Sequence, residues 1–272
     1  MATAPEKASS TNVAWRQRRL LGYFLLVFGL AVPFWALGAA TGIELLPGLP
    51  IAALAAFCPA LAATILVYQE SKSAGVIALL KRAFDIRRMR APIWYAPTLL
   101  LMPVVMALSY VALRLMGIPV PAPHFTVATA VALFLAFFIS ALGEELGWSG
   151  YAIDLMQQRW GALAAAVALG GVWAIYHWIG LAQAHRSVEW VAWWSLGTVA
   201  ARVIIVWLYN YSGRSVFVAA LFHTTINVTW QLFPVSGSFY DPRVTGAITA
   251  VVAAIVVAVW GPRTLARYRP SA

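Results

Sequence analysis

The sequence predicts an all-α protein, a polytopic membrane bundle of about eight transmembrane helices. Of its 272 residues, 62% are hydrophobic and only 10% are charged, whereas soluble proteins carry about 25% charged and 45–50% apolar residues. The apolar residues also gather into runs of about 20, the length that crosses a hydrocarbon core of about 30 Å. This composition excludes a cytosolic globular enzyme and an intrinsically disordered chain.

Eight apolar stretches can be placed along the chain, separated by Pro, Gly or charged residues. They run over residues 20–40, 50–70, 92–116, 125–150, 162–184, 190–211, 215–234 and 244–262. The first stays in the mature protein, because it is long and lacks a clear small-x-small cleavage site. The second contains Cys58, the only cysteine, so no intrachain disulfide can form. We expect one integral-membrane domain over 20–262, with a basic N-terminal segment (1–19) and a basic tail (263–272).

The distribution of Lys and Arg predicts the orientation. Fifteen of the 19 fall on the side of the two termini, Arg186 and Arg243 fall on the other side, and Arg114 and Arg202 lie within spans. The positive-inside rule makes the basic side cytoplasmic, so both termini are expected in the cytoplasm, and the Ala- and Trp-rich composition favours a bacterial plasma membrane. Since the basic residues cluster at span ends, the predicted partner is the lipid bilayer, and nucleic acid is not a predicted partner.

Two spans carry small residues at every fourth position, which lets helices pack closely in a membrane. The stripes are Ala162, Ala166, Gly170 and Ala174 in the fifth span, and Gly246, Ala250, Ala254 and Ala258 in the eighth. The fifth-span stripe is predicted to face the bundle interior. For the eighth span, a stripe and the simple abundance of Ala are equally good interpretations.

Glu144 and Glu145 are the acids that lie well inside an apolar span. An ionised carboxylate there is unfavourable by several kcal/mol unless it is paired or hydrated. Two adjacent carboxylates repel each other, which suits a proton acceptor working near neutral pH. The alternative is that the span ends before them and both lie at the interface; Leu146, Trp148 and Tyr151 favour the buried position.

Two histidines also lie within predicted helices. His177 is four residues after Trp173, and His223 is four residues before Asn227, so each pair shares a helix face. A single buried histidine is usually structural. Two of them, with Glu144-Glu145 and an asparagine on three helices, favour one site that holds water.

These residues resemble the three motifs of the CPBP family, intramembrane proteases related to type II CAAX prenyl endopeptidase. The matching segments are Glu144-Glu145-Leu-Gly-Trp148-Ser149-Gly-Tyr151, Trp173-xxx-His177 and His223-xxx-Asn227. The eight spans and Gly213-Arg-Ser before the seventh span are similar to bacterial members. The resemblance extends over most of the chain and gives the membrane domain a protease-like character.

The resemblance implies an endopeptidase in which Glu144 activates water with help from His177. His223 and Asn227 would stabilise the oxyanion, and Glu145 would support them or share the proton. The implied substrate is a peptide or a membrane protein, with bacteriocin processing or immunity as the usual bacterial association. No cofactor is favoured, although Glu144, His177 and His223 could ligate a divalent metal such as zinc.

Two departures from the family pattern leave alternatives open. The Arg that usually follows the second Glu by four residues is Ser149 here, and Trp173 replaces a Phe. The chain is therefore a protease or a catalytically inactive immunity or binding protein; a Glu/His proton-coupled transporter is a third interpretation. Arg202, in the middle of the sixth span, needs a partner, and we predict that it replaces the missing Arg beside Glu145. The alternative is that its side chain extends to the interface or contacts backbone carbonyls and water.

The predicted site is a cavity that is reachable from the cytoplasm. His177 and His223 lie at the same depth in the membrane if the fifth span begins near Val167 and residues 152–165 form a surface helix.

Overall fold

The computed structural model describes residues 10–89 and 91–266. Residues 1–9 of the predicted basic N-terminal segment and residues 267–272 of the predicted tail lie outside them. Within the described residues the chain forms nine helices and one two-stranded hairpin. The helices are α1 (Ser10–Thr41), α2 (Cys58–Lys81), α3 (Tyr95–Leu115), α4 (Val127–Gly147), α5 (Ile153–Trp160), α6 (Ala162–Gln183), α7 (Val188–Tyr211), α8 (Val216–Leu232) and α9 (Pro242–Trp260).

The helical membrane fold is confirmed. In the described part of the chain, seven helical segments are long and apolar enough to cross a membrane. The remaining predicted span is α8, whose 17 residues extend about 25 Å at 1.5 Å per residue. The predicted spans therefore correspond to α1–α4 and α6–α9.

The segment between the fourth and fifth spans differs from the prediction. After α4 the chain makes a π-helical turn over Trp148–Ala152 and continues into the short helix α5. Gly161, at φ +77°, then breaks the helix, and α6 begins at Ala162. The expected surface helix over 152–165 is thus shorter, and the expected start near Val167 is wrong.

The connection between α1 and α2 enters the bundle. Strands β1 (Glu44–Leu46) and β2 (Leu49–Pro50) form an antiparallel hairpin, and a 3₁₀ helix over Ile51–Phe57 leads into α2. The hydroxyl of Tyr176 on α6 donates to the carbonyl of Ala55. Near the predicted end of the second span, α2 is interrupted at Lys72, which has φ +53°.

Helix α7 is the centre of the bundle, packing against α6, α8 and α9, while α4 packs against α2 and α8. A Cβ on Gly170 of α6 would lie 2.9 Å from the Cα of Val199 on α7, so this glycine permits the close contact between the two helices. The predicted stripe of α6 is confirmed there. In α9, by contrast, Ala254 and Ala258 are exposed, and the buried face carries Thr249, Ala253 and Val256 instead.

Polar contacts group the helix ends into two opposite faces. On the first, which we call the basic face, Arg19 pairs with Glu70, and Arg82 donates to the carbonyls of Gly150 and Arg214. Asp85, on this face, accepts from the backbone of Val216 and Phe217 and from the hydroxyl of the α8 N-cap, Ser215. These contacts hold together the segments that precede α5 and α8 or follow α2.

The second face carries the α1–α2 hairpin and the loops after α3, α6 and α8. Gln183 donates to the carbonyl of Trp35, and Arg243 pairs with Asp241 and lies 4.0 Å from Glu189. Arg114, predicted within a span, instead lies in the last turn of α3 and donates to the carbonyl of Val120. Arg114 therefore belongs to this face.

Candidate active site

Glu144 lies on α4 with its two carboxylate oxygens in different surroundings. Oε2 accepts hydrogen bonds from the indole nitrogens of Trp148 at 3.0 Å and Trp173 at 2.6 Å. Oε1 faces the Nε2 atoms of His177 and His223, each at 3.9 Å. The indoles hold the carboxylate in place, so Oε1 remains available between the two imidazoles.

Glu145, the next residue, belongs to a fully buried ion pair. Both of its oxygens lie 2.9 Å from Nη1 of Arg202, and both side chains have 0% exposure. The Ser149 hydroxyl donates to Oε2, and Nδ1 of His223 lies 3.0 Å from Oε1. The guanidinium carbon of Arg202 also lies 4.1 Å from the centre of the Trp173 ring. The predicted contact between Arg202 and Glu145 is therefore present, and Ser149 is beside it.

The partners of the two histidines fix their tautomers. Nδ1 of His177 lies 2.8 Å from the Trp173 carbonyl, which can only accept, so that nitrogen carries the proton. Nδ1 of His223 faces the Glu145 carboxylate, which likewise accepts a hydrogen bond, so this nitrogen also carries the proton. In the neutral imidazoles, both Nε2 atoms then carry lone pairs directed at Glu144.

Glycines in α4 bring the acids close to α2 and to the 3₁₀ helix that precedes it. A Cβ on Gly147 would lie 2.4 Å from the carbonyl oxygen of Pro59, and one on Gly143 would lie 2.9 Å from that of Ala56. The π-helical turn begins immediately after Gly147, and such turns inside helices are frequent at functional sites. Close packing and the turn together direct Glu144 and Glu145 towards α6, α7 and α8.

Glu144, His177, His223 and Asn227 line one cavity of about 200 Å³. The side chain of Asn227 has no hydrogen-bond partner among the described residues and is partly exposed in this cavity. The same lining includes Arg186 and a set of large apolar side chains, among them Trp35, Met102, Phe137, Trp194, Ile226 and Trp230. A buried polar centre is thus joined to a largely apolar channel.

The cavity reaches the face opposite the basic face. It extends from Glu144 to Pro50, Arg186, Trp190 and Tyr240, which belong to the hairpin and to the loops around α6, α7 and α8. An entrance from the cytoplasm and cytoplasmic termini therefore exclude each other in this fold, so the two expectations cannot both hold. The excess of Lys and Arg on the side of the termini favours keeping the orientation and giving up the cytoplasmic entrance.

The spacing of the donor atoms tests the zinc alternative. Ligands of a tetrahedral zinc, at about 2.0–2.1 Å from the metal, lie about 3.3 Å from one another, whereas the two Nε2 atoms each lie 3.9 Å from Glu144 Oε1. Within the part of the chain that the structure describes, no group of three His, Cys, Asp or Glu residues is arranged to hold a metal ion. The donor types suit zinc, but their spacing does not fit it.

The structure brings together the site residues predicted from the sequence: Glu144, Glu145, Ser149, Trp173, His177, Arg202, His223 and Asn227. Sequence reasoning missed two neighbours. Trp148, a second donor to Glu144, could have been identified because it lies four residues further along the same helix. Arg186 follows the end of α6, and no local pattern in the sequence places it on the cavity.

Comparisons with known proteins agree with the motifs. Residues 126–229, which include both acids, both histidines and Asn227, match the family described as type II CAAX prenyl endopeptidase Rce1-like. The chain is also 26% identical over 265 residues to CAAX prenyl protease 2 of Methanococcus maripaludis, covering 86% of this chain and 92% of the relative. These matches confirm the resemblance to the CPBP protease family and support an intramembrane endopeptidase in general terms.

Proposed function

We propose that this chain hydrolyses peptide bonds of a peptide or membrane-protein substrate, using a water molecule activated by Glu144. One observation carries the proposal: the Nε2 atoms of His177 and His223 approach the same carboxylate oxygen of Glu144, at 3.9 Å each. A water oxygen can lie about 2.8 Å from two such atoms and hydrogen-bond to both. The position at which water would be activated therefore lies at the inner end of the cavity.

Glu144 and His177 are proposed to orient and deprotonate this water. Oε1 of Glu144 and Nε2 of neutral His177 both accept, so the water donates one proton to each, and its lone pair is free to attack a carbonyl carbon. Glu144 takes a proton as the new C–O bond forms. It then gives that proton to the leaving nitrogen as the C–N bond breaks, so that a carboxylic acid and an amine are released.

His223 and Asn227 are proposed to stabilise the negative oxygen of the tetrahedral intermediate. Nδ1 of His223 faces the Glu145 carboxylate, which offsets a second proton on the ring; in that form Nε2 becomes a donor. The Asn227 amide lines the same cavity and can donate as well. Each preorganised donor is expected to contribute roughly 3–4 kcal/mol in such a water-poor site.

Glu145 is proposed to act as a fixed carboxylate that positions His223. Its contacts with Arg202 and Ser149 hold it ionised and immobile, which leaves Glu144 to exchange the proton. The absence of the usual motif Arg was the reason to consider an inactive relative. Arg202 supplies a guanidinium at 2.9 Å from Glu145, which supports an active enzyme.

The proposed reaction needs no metal. If zinc is bound, Glu144, His177 and His223 would have to move together to hold it, and the ion would polarise the water that they share. Metal analysis of the purified protein, together with peptide hydrolysis before and after dialysis against a chelator, separates the two mechanisms.

The decisive experiment is peptide hydrolysis by the full-length chain in lipid nanodiscs, followed by mass spectrometry. Glu144→Gln keeps the shape and the contacts with both indoles but cannot accept a proton, so turnover should fall by at least about 10²-fold. Asn227→Ala should lower it by about 10²–10³-fold. The control is Glu189→Gln, an exposed acid outside the cavity lining, which should retain wild-type turnover. Equal turnover in wild type and Glu144→Gln would reject the proposal.

A further inference from the structure

The break in α2 forms a groove that is separate from the candidate active site. The helix is interrupted at Lys72, where φ is +53°. A Cβ on Gly75 would lie 2.9 Å from Cγ1 of Val67, although eight residues of a straight helix advance about 12 Å. The chain after the break therefore comes back towards the chain before it.

The space between the two halves of α2, which we call the α2 groove, has a volume of about 480 Å³. It is lined from Thr64 onwards, by Ile65 and Tyr68 before the break and by Val76 and Ile77 after it. Ligand sites in proteins are mostly apolar and measure about 300–1,000 Å³. From Thr64 to the break the helix advances about 12 Å, close to the depth of one leaflet, about half of a 30 Å hydrocarbon core. The α2 groove therefore fits an acyl chain.

The surroundings of the α2 groove place it at the membrane surface on the basic face. Glu70, two residues before the break, pairs there with Arg19. After the break, a Cβ on Gly150 would lie 3.2 Å from Leu79, which packs inwards, whereas Ile77 is 52% exposed. An apolar side chain exposed beside a charged surface is typical of a helix that lies in the interface. The α2 groove thus opens to the lipid of this leaflet, the one predicted to be cytoplasmic.

Lys72 supplies a positive charge at the end of the α2 groove. Its Nζ lies 5.6 Å from the centre of the Tyr68 ring, which lines the groove. Within the described residues, no carboxylate forms an ion pair with Lys72, because the nearby Glu70 pairs with Arg19. An ammonium in this position is complementary to a phosphate, and basic segments attract anionic lipids in the cytoplasmic leaflet.

We propose that the α2 groove binds one anionic phospholipid, with an acyl chain along Ile65 and Ile77 and the phosphate at the Lys72 ammonium. The bound lipid supports the second half of α2 against the bundle. Arg82, directly after α2, donates to the carbonyl of Gly150 at 2.6 Å. The lipid therefore also supports the π-helical turn that contains Gly150.

The test is native mass spectrometry of the full-length chain in detergent, with equal amounts of phosphatidylglycerol and phosphatidylcholine that carry the same acyl chains. Wild type should take phosphatidylglycerol as its first bound lipid about five-fold more often, the ratio that corresponds to about 1 kcal/mol for a lysine near an anionic lipid surface. Lys72→Gln should remove this preference, and Lys72→Arg should keep it. Lys81→Gln is the matched control, since Lys81 is an exposed cation of the same helix outside the groove lining, and it should keep the full preference.

A second variant tests the groove itself. Ile77→Trp fills the space of the acyl chain and should bind one lipid fewer than wild type, whereas Ile93→Trp, at a 73% exposed position outside the lining, should bind as many. Phosphatidylglycerol should also raise the midpoint of thermal unfolding of wild type, because it binds the folded protein. It should raise the midpoint of Ile77→Trp less.

The proposal is overturned if Lys72→Gln keeps the wild-type preference, or if Ile77→Trp binds as many lipids as wild type. An equal loss of preference in Lys81→Gln and Lys72→Gln would also overturn it, since the attraction would then belong to the basic face as a whole. No substrate is present in these measurements, so their outcome is independent of the proposed hydrolysis.

Discussion

Removing the guanidinium of Arg202 should destabilise the protein strongly, because the carboxylate of Glu145 would then remain buried without its cation. The change is Arg202→Met, which keeps an unbranched apolar side chain in a position with 0% exposure. Two contacts of 2.9 Å to Glu145 and the packing over Trp173 are lost. Breaking a buried ion pair from one side typically costs about 3–5 kcal/mol.

That loss corresponds to a decrease of roughly two to nearly four orders of magnitude in the ratio of folded to unfolded protein. Denaturation of the purified protein in a mild detergent, followed by tryptophan fluorescence, measures it. The double variant Arg202→Met/Glu145→Gln is the informative companion, because it removes both charges. We expect it to recover a large part of the stability lost in the single variant, since no ionised group remains unpaired.

Ser149→Arg tests whether Arg202 performs the role of the missing motif residue. In the background of Arg202→Met, a guanidinium introduced four residues after Glu145 lies on the same helix face, so we expect partial recovery of stability and peptide hydrolysis.

Wild-type stability in Arg202→Met, or a double variant with Glu145→Gln that is as unstable as the single one, would refute the reasoning from buried charge.

Two further predictions concern packing and orientation. Gly170→Ala should destabilise the bundle by about 1–3 kcal/mol, because the new Cβ would meet α7 at 2.9 Å. The matched control is Gly171→Ala, whose Cβ would have no neighbour within 4 Å. In the same denaturation assay it should unfold close to the wild-type midpoint. In intact cells, an impermeant thiol reagent should label Val188→Cys, on the cavity face, and should label Arg87→Cys, on the basic face, only after permeabilisation; the opposite pattern would reverse the orientation and put the cavity entrance in the cytoplasm.

The helical spans could be predicted from the sequence because the bilayer imposes one length on every crossing segment. Apolar runs of about 20 residues leave little freedom in where a helix lies. The sequence prediction fails where the chain departs from regular membrane-spanning helices. The π-helical turn at Trp148–Ala152 and the break at Gly161 depend on packing against α2 and α6, and the run of small residues in α9 is equally compatible with facing lipid.

The residues of the candidate site could be predicted because each polar side chain in lipid is unfavourable unless it has a partner. Glu144, His177 and His223 each need a partner, so a common centre satisfies all three. The direction in which the cavity opens could not be read in the same way. It depends on how the hairpin and the ends of α6 and α8 meet, and these contacts join segments that are far apart in the sequence.

The buried pair also explains why the missing motif Arg need not disable the site. Glu145 is contacted from three helical segments: by Ser149 in the π-helical turn, by Arg202 on α7 and by His223 on α8. The carboxylate that Arg202 neutralises is thus the one that orients His223 towards Glu144. A guanidinium on α7 can therefore neutralise Glu145 and keep it in place for His223 as well as one on α4 would. Its position depends on the close approach of α7 to α6, which Gly170 permits. Breaking the Arg202–Glu145 pair should therefore lower both the stability and the peptide hydrolysis. Changing Glu144 alone should lower the hydrolysis without a matching loss of stability.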